Sequence, residues 1–178
     1  MKYKFLINPK SIKFIKTKFR NIRTSIPAPS TKKILNRLSL NESRSMQGQL
    51  PIVWKKAKNF SVYDLANNKF IDFTSTIFVA NVGHSNNRII KYLNKLLKIP
   101  LISTYAYPNE IRARYHDQLI SFAGKNFQKA FLLSSGSEAT EASLKLMRLY
   151  ADKVKKRKKG IICFEGNWHG RSLGSQMM

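Results

Sequence analysis

The sequence predicts an α/β fold in which a small antiparallel sheet segment precedes the start of a larger, mainly parallel sheet domain. Three observations predict it. Residues 51–73 alternate β-branched and aromatic side chains with polar ones, residues 86–122 carry apolar side chains at helical spacing, and residues 130–164 read as strand, turn, helix and strand. A length of 178 residues with 43% hydrophobic content is enough for a packed core, which argues against disorder throughout.

The net charge of +24 ordinarily indicates a polyanionic partner, since basic clusters gain affinity by displacing counterions. Here the basic residues are spread along the whole chain. The densest run, Lys153 with residues 155–159, follows a long helical pattern, where cations offset the negative end of the helix dipole. We therefore expect a solvated helix end, and a basic nucleic-acid-binding module remains the less favoured alternative.

Residues 1–50 are predicted to form a basic leader with a short helix. Ile34, Leu35 and Leu38 recur at helical spacing after the polar pair Ser30 and Thr31. The first 40 residues contain no Asp or Glu, as in an organellar transit peptide, but lysine rather than arginine dominates them. We favour a leader that belongs to the protein.

The composition also bears on the compartment. No apolar stretch approaches the roughly 20 residues that span a bilayer, so we expect no membrane segment. A single cysteine, Cys163, excludes a disulfide within the chain and fits a reducing compartment. We expect Cys163 to lie in a buried strand, the protein to be cytoplasmic and the chain to bind no metal.

Residues 51–84 are predicted to be a small-domain β segment. Its three runs centre on Trp54, on residues 60–63 and on residues 70–73. Asn67 and Asn68 separate the second and third runs, and asparagine tolerates the left-handed backbone of a tight hairpin.

Residues 85–178 are predicted to begin the larger α/β domain. Its expected elements are helices from Asn86 to Pro100, from about 109 to 122 and from about 138 to 154, with strands at 130–133 and 161–164. A parallel sheet is normally covered on both faces, which one or two strands do not achieve. We therefore expect this domain to be incomplete and the sequence to be a piece of a longer protein.

The turn between the first of these strands and its helix is Ser134-Ser135-Gly136-Ser137. A helix start offers unpaired backbone N–H groups and a positive dipole end, which together stabilise a phosphate. Gly136 permits close approach of a ligand. The alternative is an ordinary strand-to-helix turn with Ser137 as its N-cap.

A second loop, residues 165–172, follows the next predicted strand at the same edge of the sheet. Its Trp168 offers a flat ring for stacking, and its Arg171 offers a two-pronged guanidinium for a carboxylate. The alternatives are a core tryptophan and a surface arginine.

Together these motifs resemble class III aminotransferases of the ornithine and 4-aminobutyrate type, which depend on pyridoxal phosphate and have the fold-type-I architecture. The resemblance runs in order from about Pro51 to the end of the chain. It rests on five stretches: Tyr63-Asp64, Phe70-Ile71-Asp72-Phe73, Asn81-Val82-Gly83-His84, Ser135-Gly136-Ser137-Glu138-Ala139 and Trp168-His169-Gly170-Arg171.

The resemblance implies that Gly136 and Ser137 bind the cofactor phosphate, that Trp168 stacks on its pyridine ring and that Arg171 binds the substrate carboxylate. In this family a lysine later in the chain forms the Schiff base with the cofactor, and an acidic residue pairs with the ring nitrogen. Neither is assigned to a residue of this sequence, so no catalytic residue is named. The resemblance further implies a homodimer.

The expected function is therefore that of part of a transaminase, moving an amino group from an amino acid or ω-amino acid to a 2-oxo acid. The 178 residues alone are expected to be inactive. A non-catalytic remnant or partner of a full-length homologue remains an alternative. Ile77 stands where ornithine-type relatives place a substrate-contacting tyrosine, and Ser85 to Asn87 replace a common His-Pro pair, so the substrate stays open.

Overall fold

The structure is a computed structural model that describes residues 5–154 and 160–178. Most of the basic run that was predicted at a helix end, residues 155–159, lies outside the described residues. Contacts between Cα atoms divide the chain into two units, Met1–Ile102 and Ser103–Met178, and each is described by itself.

The first unit contains a five-stranded antiparallel sheet in the order β1-β2-β5-β4-β3. The prediction of a small antiparallel sheet is confirmed, because all three predicted runs contribute a strand. Its strands are β1 (Ile15–Lys16), β2 (Asn21–Ile22), β3 (Trp54–Lys58), β4 (Ser61–Asp64) and β5 (Lys69–Ile71). Trp54 lies opposite Asp64, and Val62 lies opposite Phe70.

Strands β1 and β2 come from the basic leader and were not predicted from the sequence. A buried side chain attaches this leader to the β4–β5 hairpin. Asn68 accepts a hydrogen bond from Arg23 N at 2.7 Å and donates to Thr24 Oγ1 and Asp64 Oδ2, each at 2.7 Å. Asn68 and Asp64 are almost completely buried, and Asn67 at the hairpin has a left-handed backbone with φ 61°.

Within the described residues, three α-helical segments accompany the sheet: α1 (Lys32–Asn41), α2 (Ser75–Phe78) and α3 (Asn87–Leu96). Two short 3-10 helices, Pro29–Thr31 and Arg44–Met46, lie on either side of α1. Leu35 is the buried residue of α1, and this helix confirms the one predicted in the leader. The α2 segment is a single turn whose residues all have positive φ angles, between 48° and 66°. Asn86 caps α3, as its side chain accepts a hydrogen bond from Arg88 N at 3.0 Å.

The α2 turn begins beside a partly buried ion pair. His84 Nε2 lies 2.7 Å from Asp72 Oδ2. Asp72 Oδ1 accepts hydrogen bonds from Thr74 N at 2.9 Å and from Ser75 N at 3.0 Å. The hydrogen bond from His84 lowers the pKa of Asp72 to about 2; desolvation opposes this shift, and the hydrogen bonds from Thr74 and Ser75 add to it. The Asp72 carboxylate thus joins the two ends of the loop from Asp72 to His84.

This ion pair predicts a specific acid dependence. Because folding lowers the pKa of Asp72, its contribution to stability is present above the usual carboxyl range and is lost as the pH falls towards about 2. The free energy of unfolding of the wild type should fall more steeply below about pH 4 than that of Asp72→Asn. Urea unfolding at several pH values measures both slopes. Glu42→Gln alters a half-buried carboxylate outside this ion pair and should keep the wild-type slope. Equal slopes for the wild type and Asp72→Asn would contradict the assignment.

The second unit contains α4 (Glu110–Ala123), α5 (Gly136–Val154) and α6 (Leu173–Gln176). The predicted helices near 109–122 and 138–154 are confirmed. Gly124 ends α4 with a φ of 87°, a backbone angle that favours glycine. Among the described residues, no helix combines the length and the apolarity needed to cross a membrane.

The two predicted parallel strands differ from expectation. Residues 130–133 and 161–164 pair with no other strand in the described part of the chain. Cys163, expected to be buried, is exposed. The physical reason is that apolar runs become buried strands only where neighbours complete the hydrogen-bond ladder and cover both faces. No described residue does so here.

Candidate functional site

The α5 helix begins with a reciprocal cap. Ser135 Oγ accepts a hydrogen bond from Glu138 N at 3.2 Å, and Glu138 Oε2 accepts one from Ser134 N at 2.8 Å. This arrangement resembles a capping box, in which a serine and a glutamate three residues later satisfy the free donors of the first turn. The N-cap is therefore Ser135 and not Ser137, so the Ser137 hydroxyl has no capping role.

Three backbone donors of this turn stay available. The N–H groups of Ser135, Gly136 and Ser137 donate to no atom within residues 5–154 and 160–178. A Cβ atom placed on Gly136 would meet nothing within 4 Å, so the space beside Gly136 is open. They lie at the positive end of a 19-residue helix, which is an arrangement that attracts an anion.

The second predicted loop contacts this turn directly. Arg171 N donates a hydrogen bond to Ser137 Oγ at 3.2 Å. The preceding residue, Gly170, has a φ of 133°, and a Cβ atom there would collide with the Ser137 side chain and with Ser175 Oγ. Glycine is therefore required for this close approach.

A second contact joins the same helix to the residues after Arg171. Glu141 Oε1 accepts hydrogen bonds from Gly174 N at 2.8 Å and from Ser175 N at 3.3 Å. The Ser172 hydroxyl, these two backbone donors and the positive charge of Lys145 keep the pKa of Glu141 below its usual range. A Cβ atom on Gly174 would collide with the Glu141 carboxylate.

Trp168 and Arg171 lie together on the surface of this loop. The guanidinium carbon of Arg171 is 5.5 Å from the centroid of the Trp168 ring, which is within the range of a cation–π contact. Trp168 is 73% exposed. An exposed indole with a neighbouring guanidinium offers a stacking surface and a cation to a flat anionic molecule.

The four predicted site residues all lie in the second unit. Gly136 and Ser137 begin α5, Arg171 reaches Ser137 through its backbone, and Arg171 stacks on Trp168. The sequence reasoning assigned Glu141 no part in holding the loop, although its carboxylate accepts hydrogen bonds from Gly174 N and Ser175 N. The signal for it was the spacing of Ser137 and Glu141, four residues apart and therefore on one face of the helix.

Comparisons with known proteins cover the same part of the chain. Residues 43–177 match the family described as aminotransferase class-III. The chain is 32% identical over 127 residues to an acetylornithine aminotransferase of Methanocaldococcus jannaschii, a match that covers 71% of this chain and 31% of that protein. It is 33% identical over 129 residues to an ornithine aminotransferase of Saccharomyces cerevisiae, covering 71% of this chain and 30% of that protein.

Solved structures show a corresponding likeness in fold. An ornithine aminotransferase from Toxoplasma gondii superposes with a TM-score of 0.70 at 20% identity, covering 84% of this chain and 35% of that chain. An acetylornithine aminotransferase from Elizabethkingia anophelis superposes with a TM-score of 0.64 at 25% identity, covering 71% and 32%. The chain thus spans about a third of the length of the relatives that it matches.

Proposed function

Because the chain belongs to the class-III aminotransferase family, we propose that it contributes the phosphate-binding turn of a transaminase dependent on pyridoxal phosphate. The proposed reaction transfers an amino group from an amino acid or ω-amino acid to a 2-oxo acid. The observation that carries the proposal is the contact between two loops. The Arg171 backbone reaches Ser137, beside three N–H groups at the start of α5 that donate to no atom in the described part of the chain.

The residues present suit a phosphate ester. Ser137 Oγ accepts from Arg171 N, and its own hydrogen stays available for a phosphate oxygen. The N–H groups of Ser135, Gly136 and Ser137 add donors without adding a cation. In our proposal Gly136 and Ser137 hold the phosphate, while the exposed Trp168 ring stacks on the pyridine.

Arg171 has the proposed role of binding the substrate carboxylate. Its guanidinium lies at the surface over Trp168, so a carboxylate has access to it. When bound, pyridoxal phosphate supplies the conjugated ring that accepts electrons during amino-group transfer. The amino acids named for the relatives, ornithine and acetylornithine, both carry a free carboxylate, which supports this role of the arginine.

The proposal has finer parts that rest on the family resemblance. The first is a homodimeric assembly. A cytoplasmic location is also proposed, and it rests instead on the single cysteine of the sequence. A reading frame that continues past Met178 is expected to encode an acidic residue and then a lysine after a strand. A continued frame that lacks both would remove catalysis from the proposal.

Binding of pyridoxine 5′-phosphate tests the phosphate site. This ligand lacks the aldehyde, so it does not react with the many lysines of the chain. In a Trp54→Phe background Trp168 is the only tryptophan, and its fluorescence should be quenched on binding. Ser137→Ala should raise the dissociation constant about tenfold, because a hydrogen bond to a charged group is lost.

Two controls accompany this titration. Ser143 lies on the same helix, where its hydroxyl donates to Ala139 O at 2.8 Å, so Ser143→Ala should leave the dissociation constant unchanged. Pyridoxine without phosphate should bind far more weakly. Equal dissociation constants for Ser137→Ala and Ser143→Ala would refute the proposed phosphate site.

A further inference from the structure

We propose that Glu141 is a positioning residue that holds the segment carrying Trp168 and Arg171 at the amino-terminal end of α5. The inference deepens the proposed function and rests on it for its meaning in catalysis. Its structural part is independent of any ligand. It assigns to Glu141 the task of fixing where the stacking ring and the carboxylate-binding cation lie relative to the phosphate-binding turn.

The first support is a pair of contacts from one helix face. Ser137 and Glu141 are four residues apart on α5, and each receives backbone donors from the segment 171–175. Ser137 contacts the segment before α6, and Glu141 contacts the start of α6. Two contacts about one helical turn apart restrict both the position and the direction of the segment, which one contact does not do.

The second support is the shape of the segment. Gly170 and Gly174 are the residues at which a Cβ atom would strike Ser137 and Glu141 respectively. Ser175 is 2% exposed, and its hydroxyl lies 2.8 Å from that of Ser172. The backbone thus comes directly against the two α5 side chains, with a small serine pair filling the remaining space.

The third support is the charge of Glu141. An ionised carboxylate accepts backbone N–H donors more strongly than a neutral oxygen does. The residues of α6, from Leu173 to Gln176, carry no ionisable side chain that would compete for the N–H donors. Lys145 provides the countercharge from the next turn of α5.

The test follows the mobility of Trp168 without ligand. In the Trp54→Phe background, Glu141→Ala should lower the fluorescence anisotropy of Trp168 and speed hydrogen exchange at the amides of Gly174 and Ser175 about tenfold. Glu141→Gln keeps one acceptor oxygen and should give intermediate values. In Gly174→Ala the new methyl group would collide with the Glu141 carboxylate and displace it. This variant should therefore show the same fall in Trp168 anisotropy as Glu141→Ala.

Glu138→Ala is the matched control, because Glu138 is a carboxylate of the same helix that contacts Ser134 rather than the segment. It should leave Trp168 anisotropy unchanged, and the helical circular dichroism of all variants should match the wild type. If Glu141→Ala and Glu138→Ala have the same anisotropy, Glu141 does not position the segment. Failure of pyridoxine 5′-phosphate to bind would refute the proposed function alone, since the mobility measurement contains no ligand.

Discussion

Replacing Gly170 with alanine is expected to displace the loop that carries Trp168 and Arg171. The new methyl group would collide with the Ser137 side chain, and a φ of 133° is strained for any residue with a Cβ atom. Strain of this kind costs about 1–3 kcal/mol, and the loop escapes it only by giving up the hydrogen bond from Arg171 N to Ser137 Oγ. Loss of this hydrogen bond separates the two halves of the proposed site.

Two measurements check this expectation in the Trp54→Phe background. The dissociation constant of pyridoxine 5′-phosphate should rise by at least about tenfold, since the stacking ring no longer lies near the phosphate turn. The fluorescence anisotropy of Trp168 should fall. Gly166 lies in the same loop with a φ of 79° and open space around it, so Gly166→Ala introduces strain without a collision. Equal effects of the two substitutions would show that the approach of Gly170 to Ser137 is unimportant.

Replacing Asn68 with alanine should produce the largest loss of stability in the first unit. The substitution removes the acceptor of Arg23 N and the donor to both Thr24 Oγ1 and Asp64 Oδ2. Because Asp64 and Asn68 are buried, water does little to replace the hydrogen bonds that Asn68 makes. We expect the free energy of unfolding to fall by about 3 kcal/mol.

Urea unfolding followed by Trp54 fluorescence in a Trp168→Phe background measures this loss, because Trp54 lies opposite Asp64 in the sheet. The matched control is the neighbouring Asn67, which is exposed and has a φ of 61°. Asn67→Gly suits that backbone angle and should change stability by less than about 0.5 kcal/mol. A loss below about 1 kcal/mol for Asn68→Ala would mean that the leader is not secured to the hairpin through this residue.

Local patterns in the sequence were sufficient for most of the helices and for three of the strands. Helical spacing and a capping residue such as Asn86 determine where a helix starts, because both act within a few residues. The sequence offered Ser137 as a possible N-cap of α5, whereas in the structure the N-cap is Ser135. The residue types permit either cap, and only the position of Glu138 relative to Ser134 distinguishes them.

Strands β1 and β2 escaped prediction for a different reason. Each has two residues, too few to show alternation, and β2 pairs with Lys69, which is 48 residues away along the chain. Conversely, the apolar runs at 130–133 and 161–164 have the composition of buried strands but no pairing partner within the described residues. Strand pairing depends on residues far apart along the chain, so it does not follow from the composition of one segment.

The sequence by itself determined the family, the small antiparallel sheet, the helices and the four residues Gly136, Ser137, Trp168 and Arg171 as candidates for the site. Residue type and spacing carry that information. The tertiary structure alone decided that Arg171 contacts Ser137 through its backbone, that Glu141 holds the start of α6 and that Asn68 ties the leader to the sheet. These contacts join residues more than 30 positions apart, and their energies depend on burial and on the distance between particular atoms. Neither quantity exists until the chain has folded.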